Sequence, residues 1–145
     1  MKKLILIMLV AFGFSFNASA QKDLLMISNS YGNTRDTLDN TETIYFYTQA
    51  SSATQSITAQ FDLTKISGTV APTITPVVSN NGTTWHTSNL VVSTSAGDSI
   101  TWVGTNLTGT TTRTFRFPIG YKFVGFKFVG TGTMSAYITA RAYIK

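Results

Sequence analysis

The chain has no cysteine and only one histidine. Among its 145 residues the missing cysteines exclude disulfides, cysteine-ligated zinc and a lipid-modified cysteine. His86 cannot hold zinc alone, and no serine and carboxylate are placed to complete a catalytic triad with it. The sequence therefore predicts a non-catalytic protein with no metal site and no cofactor. An enzyme is the third choice, and it would need a pair of carboxylates that meet in a cleft.

Acidic residues are few and scattered. The only group that is close in sequence is Asp36, Asp39 and Glu42, together with Asn40. These oxygens could hold calcium, but the stretch lacks the alternating acidic loop with a central glycine that calcium-binding loops use. We interpret it as a solvated, turn-like segment covering residues 33–40.

Positive charge is concentrated late in the chain. The net charge is +5, and residues 21–145 carry nine basic and six acidic side chains, which gives +3. From Thr101 onward there is no acidic residue, but there are six basic ones: Arg113, Arg116, Lys122, Lys127, Arg141 and Lys145. They form either a patch for an anionic partner or, as we favour, the solvent-facing and edge-guarding positions of strands. Nucleic acid is an unlikely partner because the interleaved aromatic residues have the spacing of core positions.

Residues 1–20 have the pattern of a secretory signal peptide. Lys2 and Lys3 precede an apolar run of thirteen residues, Leu4 to Phe16, and Ala18-Ser19-Ala20 forms a small-x-small cleavage site. This predicts an N-terminal apolar helix and an exported protein, in the periplasm, at the cell surface or outside the cell. The run is shorter than the about 20 residues that span a bilayer. The alternative is an uncleaved anchor, which would be the protein's only membrane contact.

Beyond residue 20 the chain has the composition of β-structure. It contains 25 threonines, only 12% of its residues are charged, and no helical periodicity appears. Ser56 to Lys65 alternates strictly, with Ile57, Ala59 and Phe61 on one side. Short strands at this spacing predict an all-β fold, an antiparallel β-sandwich or jelly roll. We expect one domain, with an N-terminal arm and first strands in 21–55 and the sandwich core in 56–145.

Three local features carry specific predictions. Pro76 cannot donate to a ladder, so the strand Thr73–Ser79 should lie at a sheet edge or carry a bulge. A bulge near Gly125 would place Lys122 and Lys127 outward and Phe123 inward. The segment from Val77 to Trp85 contains Asn80-Asn81-Gly82 between apolar residues and predicts a hairpin.

This hairpin carries a resemblance. Ser79-Asn80-Asn81-Gly82-Thr83-Thr84-Trp85 is similar to the S-N-D-G-T-x-W hairpin of small β-sandwich bacteriophage virion proteins of the head-decoration and fibre type, and resembles in part that of discoidin-like sugar-binding domains. Asn81 stands where the usual motif has Asp. The order of Lys65–Val70, the hairpin, Gly120–Phe123 and Gly130–Thr133 also resembles the virion proteins over 56–145. The resemblance implies either a particle component or a sugar-binding domain.

Two functions are consistent with these patterns. The first is an exported, non-catalytic structural protein that assembles as a homo-oligomer or joins a virion or cell-surface assembly, because so few charges leave sheet edges poorly protected. The alternative is a secreted carbohydrate-binding or adhesion module, in which exposed aromatic rings stack on sugars. Its candidate residues are Tyr45, Tyr47, Trp85, Trp102, Tyr137 and Tyr143. Against this alternative, we favour a core position for both tryptophans.

Overall fold

The computed structural model describes residues 22–29, 32–50, 56–87, 91–93, 101–117 and 120–144. Residues 1–20, for which a helical signal peptide is predicted, lie outside these ranges. Within them the regular structure consists of strands alone, and no helix there is long and apolar enough to cross a membrane. The all-β prediction is therefore confirmed for the described part of the chain.

The strands follow one another at short intervals. In chain order they are β1 Lys22–Leu25, β2 Ile27–Ser28, β3 Arg35–Asp39, β4 Thr43–Gln49, β5 Ile57–Ser67, β6 Thr73–Ser79, β7 His86–Thr87, β8 Val92–Ser93, β9 Trp102–Val103, β10 Thr110–Phe117, β11 Phe123–Val129 and β12 Ser135–Ile144.

These strands form two antiparallel sheets. Sheet A has the order β1-β12-β5-β10-β8, with β3 also beside β12, and sheet B has the order β2-β4-β11-β6-β7, with β9 also beside β6. The first strands are part of both sheets, since β1 and β3 pair with β12 while β2 pairs with β4. The buried side chains of the two sheets share one core, so the architecture is sandwich-like.

Alternating side chains explain which face of each strand is buried. In β5, Ile57, Ala59, Phe61 and Leu63 are buried while the residues between them are half-exposed, as predicted. In β12 the same alternation buries Ala136, Ile138, Ala140 and Ala142. Period two places one side chain set between the sheets and the other in solvent.

Phenylalanine rings fill the space between the sheets. Phe61 of sheet A contacts Phe126 and Phe128 of sheet B, with ring centroids 5.3 and 5.4 Å apart and the rings nearly perpendicular. Phe126 also contacts Phe115 at 5.6 Å and Phe117 at 5.5 Å. Edge-to-face packing of this kind adds to the burial of apolar surface, so these rings hold the two sheets together.

The segment 33–40 is not wholly turn-like as predicted. Arg35–Asp39 is strand β3, in which Leu38 is fully buried. Asp36 also points inward, where it accepts a hydrogen bond from the Ser28 hydroxyl, and its other oxygen accepts one from the Thr37 amide at 2.8 Å. The polar side chain of Asp36 favours a loop in the sequence pattern, because its hydrogen-bond partner Ser28 is brought to it only by the fold.

The predicted bulge near Gly125 is wrong. Strand β11 pairs without interruption with β4 and with β6 from Phe123 to Val129. Phe123 and Lys127 therefore lie on the outer face, and Lys122 precedes the strand in an exposed bend. Both lysines are placed outside without a bulge. The irregularity lies instead in the β12–β5 pairing, between Ser135 and Ala136.

The strand that contains Pro76 has neither the predicted edge position nor the predicted bulge, since its pairing with β11 is unbroken. Strand β6 lies between β11 and the two short strands β7 and β9. Those short strands pair with Val77–Val78 and with Thr73–Ile74, so Pro76 falls between them. On that side none of the described strands pairs with Pro76, and its missing backbone donor interrupts no ladder there.

Candidate functional site

The loop after β6 is held in shape by its own side chains. The Ser79 hydroxyl accepts a hydrogen bond from the Gly82 amide at 2.9 Å. The Asn81 side-chain oxygen accepts bonds from the Thr83 and Thr84 amides at 3.0 and 2.8 Å. Such side-chain caps stand in for backbone turn bonds. The hairpin prediction is confirmed, since β6 and β7 pair antiparallel on either side of this loop.

The same loop is anchored to strand β11. The Lys122 amide donates to the Asn80 side-chain oxygen at 3.2 Å. Gly82, at φ +75°, lies against the Phe123 ring, and a Cβ there would be 3.3 Å from it. Glycine permits both this backbone conformation and the close approach to the ring. The loop is thus fixed over the outer face of sheet B.

This anchoring places Trp85 on two tyrosines of β4. The Trp85 ring stacks on Tyr45 at 5.8 Å with an interplanar angle of 24°, and contacts Tyr47 at 5.4 Å. Tyr47 in turn meets the edge of Phe123 at 6.3 Å. We call Tyr45, Tyr47, Trp85 and Phe123 the aromatic platform; all four are half-buried.

The outer face of sheet B is closely packed and covered beside Tyr47. Gly125 lies opposite Tyr47 on one side and Val77 on the other. A Cβ at Gly125 would meet the Phe46 carbonyl oxygen and lie 2.9 Å from the Tyr47 Cβ. Val77 points to the same outer face but is only 4% exposed. A core position for Trp85 is therefore wrong: its ring covers the outer face of sheet B.

Trp102 lies elsewhere, at the margin of the core. It packs against the buried cluster and contacts Phe61 at 6.1 Å. The Arg113 guanidinium lies 5.3 Å from its ring. Arg113 shares the inward side of β10 with Phe115, so this cation covers the core's margin. The core prediction thus holds in part for Trp102, which does not join the aromatic platform.

Tyr137 and Tyr143 lie on the outer face of sheet A, far from the platform. The Arg35 guanidinium stacks 3.7 Å above the Tyr137 ring. Between the two tyrosines along β12, Arg141 donates to Asp62 at 2.8 Å. This face is therefore polar, with one ion pair near its middle.

The Asp62 carboxylate is the centre of that polar face. It also accepts hydrogen bonds from Thr112 at 2.6 Å and from the Gln60 amide at 3.1 Å. Partial burial raises the pKa of Asp62. The hydrogen bonds from Thr112, Arg141 and Gln60, together with the charge of Arg141, lower this pKa by a larger total amount. The net pKa lies below the ordinary value, so Asp62 is a charged partner for Arg141 at neutral pH.

The basic residues predicted as a possible patch are divided by the fold. Arg116 and Arg141 lie on the outer side of sheet A, and Arg113 on its inner side. Lys127 lies on the outer face of sheet B, beside Tyr45 in the register, and Lys122 lies just before β11. Lys145 is outside the described residues. The structure thus brings only Lys122 and Lys127 to the aromatic platform.

Acidic and histidine side chains do not gather in one place. Among the described residues, no group of three His, Cys, Asp or Glu side chains is arranged to hold a metal ion. Asp36 is engaged with Ser28 inside the fold, and the Asp39 amide donates to Glu42 at 3.4 Å. His86 is exposed in β7.

Sequence reasoning missed two members of the outer face of sheet B. The sequence pattern predicts Phe123 in the core and does not indicate Asn29, whose side-chain oxygen accepts a hydrogen bond from the Tyr45 amide at 2.8 Å. The regular alternation of Phe123, Gly125 and Lys127 was the available signal for the first. No local signal marks Asn29, because its partner is sixteen residues away.

Comparison with protein families, with curated proteins and with solved structures finds no match to this chain. The resemblance to virion proteins and discoidin-like domains therefore stays a prediction.

Proposed function

We propose that the protein is an exported, non-catalytic interaction module that binds carbohydrate on its aromatic platform. The observation that supports this most is the stacking of Trp85 on Tyr45 and Tyr47 at the outer face of a sheet. Aromatic rings offer flat apolar faces to the C–H groups of a sugar, and tyrosine hydroxyls offer hydrogen bonds. The loop that carries Trp85 is held before any ligand arrives, which reduces the entropy cost of binding.

We also propose that the fold is a jelly roll. The strand orders β3-β12-β5-β10 and β4-β11-β6-β7 support this, because from β3 to β6 and from β10 to β12 successive strands alternate between the two sheets. Jelly rolls are used by lectins and by viral capsid proteins. The topology is therefore compatible with carbohydrate binding and with assembly, and the surfaces must decide between them.

The edges of sheet A favour binding over edge-to-edge assembly. Strand β3 carries the inward-pointing Asp36, and one oxygen of this carboxylate accepts a hydrogen bond from the Thr37 amide. Strand β10 pairs with the short outermost strand β8 only at Phe115 and Arg116, and beyond that pairing it carries Arg113 on its inward side. Inward-pointing charges on edge strands hinder pairing with another chain. These edges are better protected than the low charge content alone suggests.

Replacing Trp85 with alanine should weaken carbohydrate binding at least tenfold. Removing the ring leaves sugars without the exposed aromatic face, and stacking pairs contribute about 0.5 to 1.5 kcal/mol beyond the area that they bury. Affinity electrophoresis through gels that contain different polysaccharides measures the effect. Trp85→Phe should retain most of the binding, and Tyr137→Ala, on the other sheet, should retain all of it.

Two outcomes would contradict the proposal. One is a native protein that no polysaccharide retards. The other is a Trp85→Ala variant that binds as well as the native chain. Circular dichroism melts of each variant separate a lost contact from a lost fold, because Trp85 also covers part of sheet B.

A second candidate is assembly through the N-terminal segment Lys22–Ser28. This segment supplies a strand to each sheet, β1 to sheet A and β2 to sheet B. Leu25 is 73% exposed and Ile27 36% exposed, on either side of the fully buried Met26. Exposed apolar side chains at an edge favour contact with another copy or with a particle, as in a homo-oligomer, virion or surface layer.

Light scattering coupled to size-exclusion chromatography tests this candidate. We expect Leu25→Lys to dissociate an oligomer of the native protein, because a buried interface does not accept an unpaired charge. Val103→Lys is the matched control. Val103 is also an exposed apolar residue, at 59%, and it lies in β9, at the side of sheet B away from β2. A native protein that elutes as a monomer at all concentrations would rule the candidate out.

A further inference from the structure

We propose that the polysaccharide recognised by the aromatic platform is anionic and bears carboxylates, as a polymer of uronic acids does. This inference rests on the proposed function and specifies its ligand. It is carried by the placement of positive and negative charge around the platform.

Lys127 is part of the surface that holds the platform. In the register of sheet B it lies between Tyr45 on β4 and Thr75 on β6, on the outer face. Its side chain is half-buried. A lysine whose stem packs on the sheet beside Tyr45 keeps its charge at the margin of the platform, where an anionic ligand can pair with it.

A second cation flanks the platform at its other end. The Lys122 ammonium lies 5.4 Å from the centre of the Phe123 ring and its side chain is exposed. Phe123 and Lys127 are four residues apart in β11, which is roughly 13 Å along a strand. Two cations spaced along one surface suit a polymer with repeated carboxylates better than a single charged sugar.

Negative charge is kept away from this face. None of the described strands of sheet B contains Asp or Glu, whereas sheet A contains Asp23, Asp36, Asp39 and Asp62. Glu42 lies in the turn before β4, and Asp98 lies outside the described residues. In the part of the chain that the structure describes, the strands of sheet B therefore place lysine and no carboxylate beside the stacking rings, and charge complementarity selects an anion.

A single-stranded nucleic acid is the other polyanion that stacks on aromatic rings. Its binding usually employs several rings on which successive bases stack. Here the rings pack on one another, with Trp85 over Tyr45 and Tyr47, so the platform offers one stacking face and not a series. The geometry thus favours the acidic polysaccharide.

Isothermal titration calorimetry with oligogalacturonate and with its carboxyl-reduced, neutral counterpart tests the inference on the full purified protein. We expect the native protein to bind the acidic form at least tenfold more tightly at low salt. The difference should shrink in 0.5 M NaCl, because the screening length falls from about 10 Å at 0.1 M to about 3 Å at 1 M salt. Lys127→Gln should abolish most of the preference for the acidic form.

Matched variants keep the result interpretable. Lys65→Gln removes the same charge from sheet A and should keep the native preference. Lys122→Gln, in an exposed bend, should reduce the preference without affecting the fold. Trp85→Ala should lose both forms of the ligand.

Each outcome has one meaning. Equal binding of the acidic and neutral forms by the native protein overturns the inference and leaves the proposed function intact. Binding of neither form overturns this inference and removes support for the proposed function, which the polysaccharide panel then decides. Tighter binding of oligodeoxythymidylate than of oligogalacturonate overturns the carboxylate assignment in favour of nucleic acid.

Discussion

Replacing Gly68 with alanine should destabilise the protein by at least about 3 kcal/mol, the upper end of the usual range for a single substitution. Gly68 follows β5 at φ +70°, and a Cβ there would overlap the carbonyl oxygen of Thr133 and lie 3.3 Å from the Met134 Cα. Both contacts are with backbone, so the clash is relieved only if the start of β12 moves away from β5. This pairing joins the two central strands of sheet A.

Gly132 provides the matched control. It has a similar φ of +63°, but a Cβ there would meet nothing within 4 Å. Gly132→Ala should therefore cost only the left-handed backbone penalty of about 1 to 2 kcal/mol. Urea unfolding followed by tryptophan fluorescence measures the free energy of unfolding of both variants. The slope of that free energy against urea concentration should be the same in each. Equal losses at the two positions would show that the close approach to Thr133 has no energetic weight.

Phe126→Ala should cost about 3 to 5 kcal/mol, the range observed when a large aromatic side chain is removed from a packed core. Phe126 contacts four other phenylalanine rings, from both sheets, at centroid distances between 5.3 and 6.1 Å. Neighbours held by two hydrogen-bonded sheets cannot collapse fully into the space that the ring leaves. The cavity therefore adds to the lost burial.

The same unfolding measurement shows whether the loss at Phe126 comes from the burial of its side chain or from its aromatic ring. Phe126→Leu should lose much less than Phe126→Ala, because it keeps most of the apolar volume. Phe123→Ala should also lose less, since Phe123 is a half-buried residue on the outer face of the same strand. A loss at Phe123 that equals the loss at Phe126 would contradict the division of β11 into an inner and an outer face.

The two outer faces of the sandwich differ in chemistry. Sheet A presents threonines, two tyrosines and charges of both signs in equal number, namely Arg35, Arg116 and Arg141 with Asp23, Asp39 and Asp62. Sheet B presents packed rings and lysine without carboxylates in its described strands. A neutralised face is a poor attractor of ions, whereas the face of sheet B is suited to an anionic ligand.

Two predictions from the sequence failed for one physical reason. In β11, the predicted bulge turned Phe123 inward so that both lysines faced outward, yet the register is unbroken and the loop after β6 lies against Phe123 on the outer face. In β3, Asp36 made a strand look like a turn because its partner Ser28 lies on the other sheet. In both cases a distant segment supplies the environment that the local pattern lacks.

The sequence by itself determined the all-β class, the inward faces of β5 and β12, and the turn at Gly82. These follow from period-two alternation and from the conformational freedom of glycine, which are local properties. Only the tertiary structure decided that Trp85 stacks on Tyr45, forty residues earlier, and that Lys127 lies beside Tyr45. It also decided that every acidic residue in the described strands lies in sheet A. Alternation states which residues share a face of one strand, but the neighbours of that strand depend on sheet order and register. The candidate site is built from those neighbours.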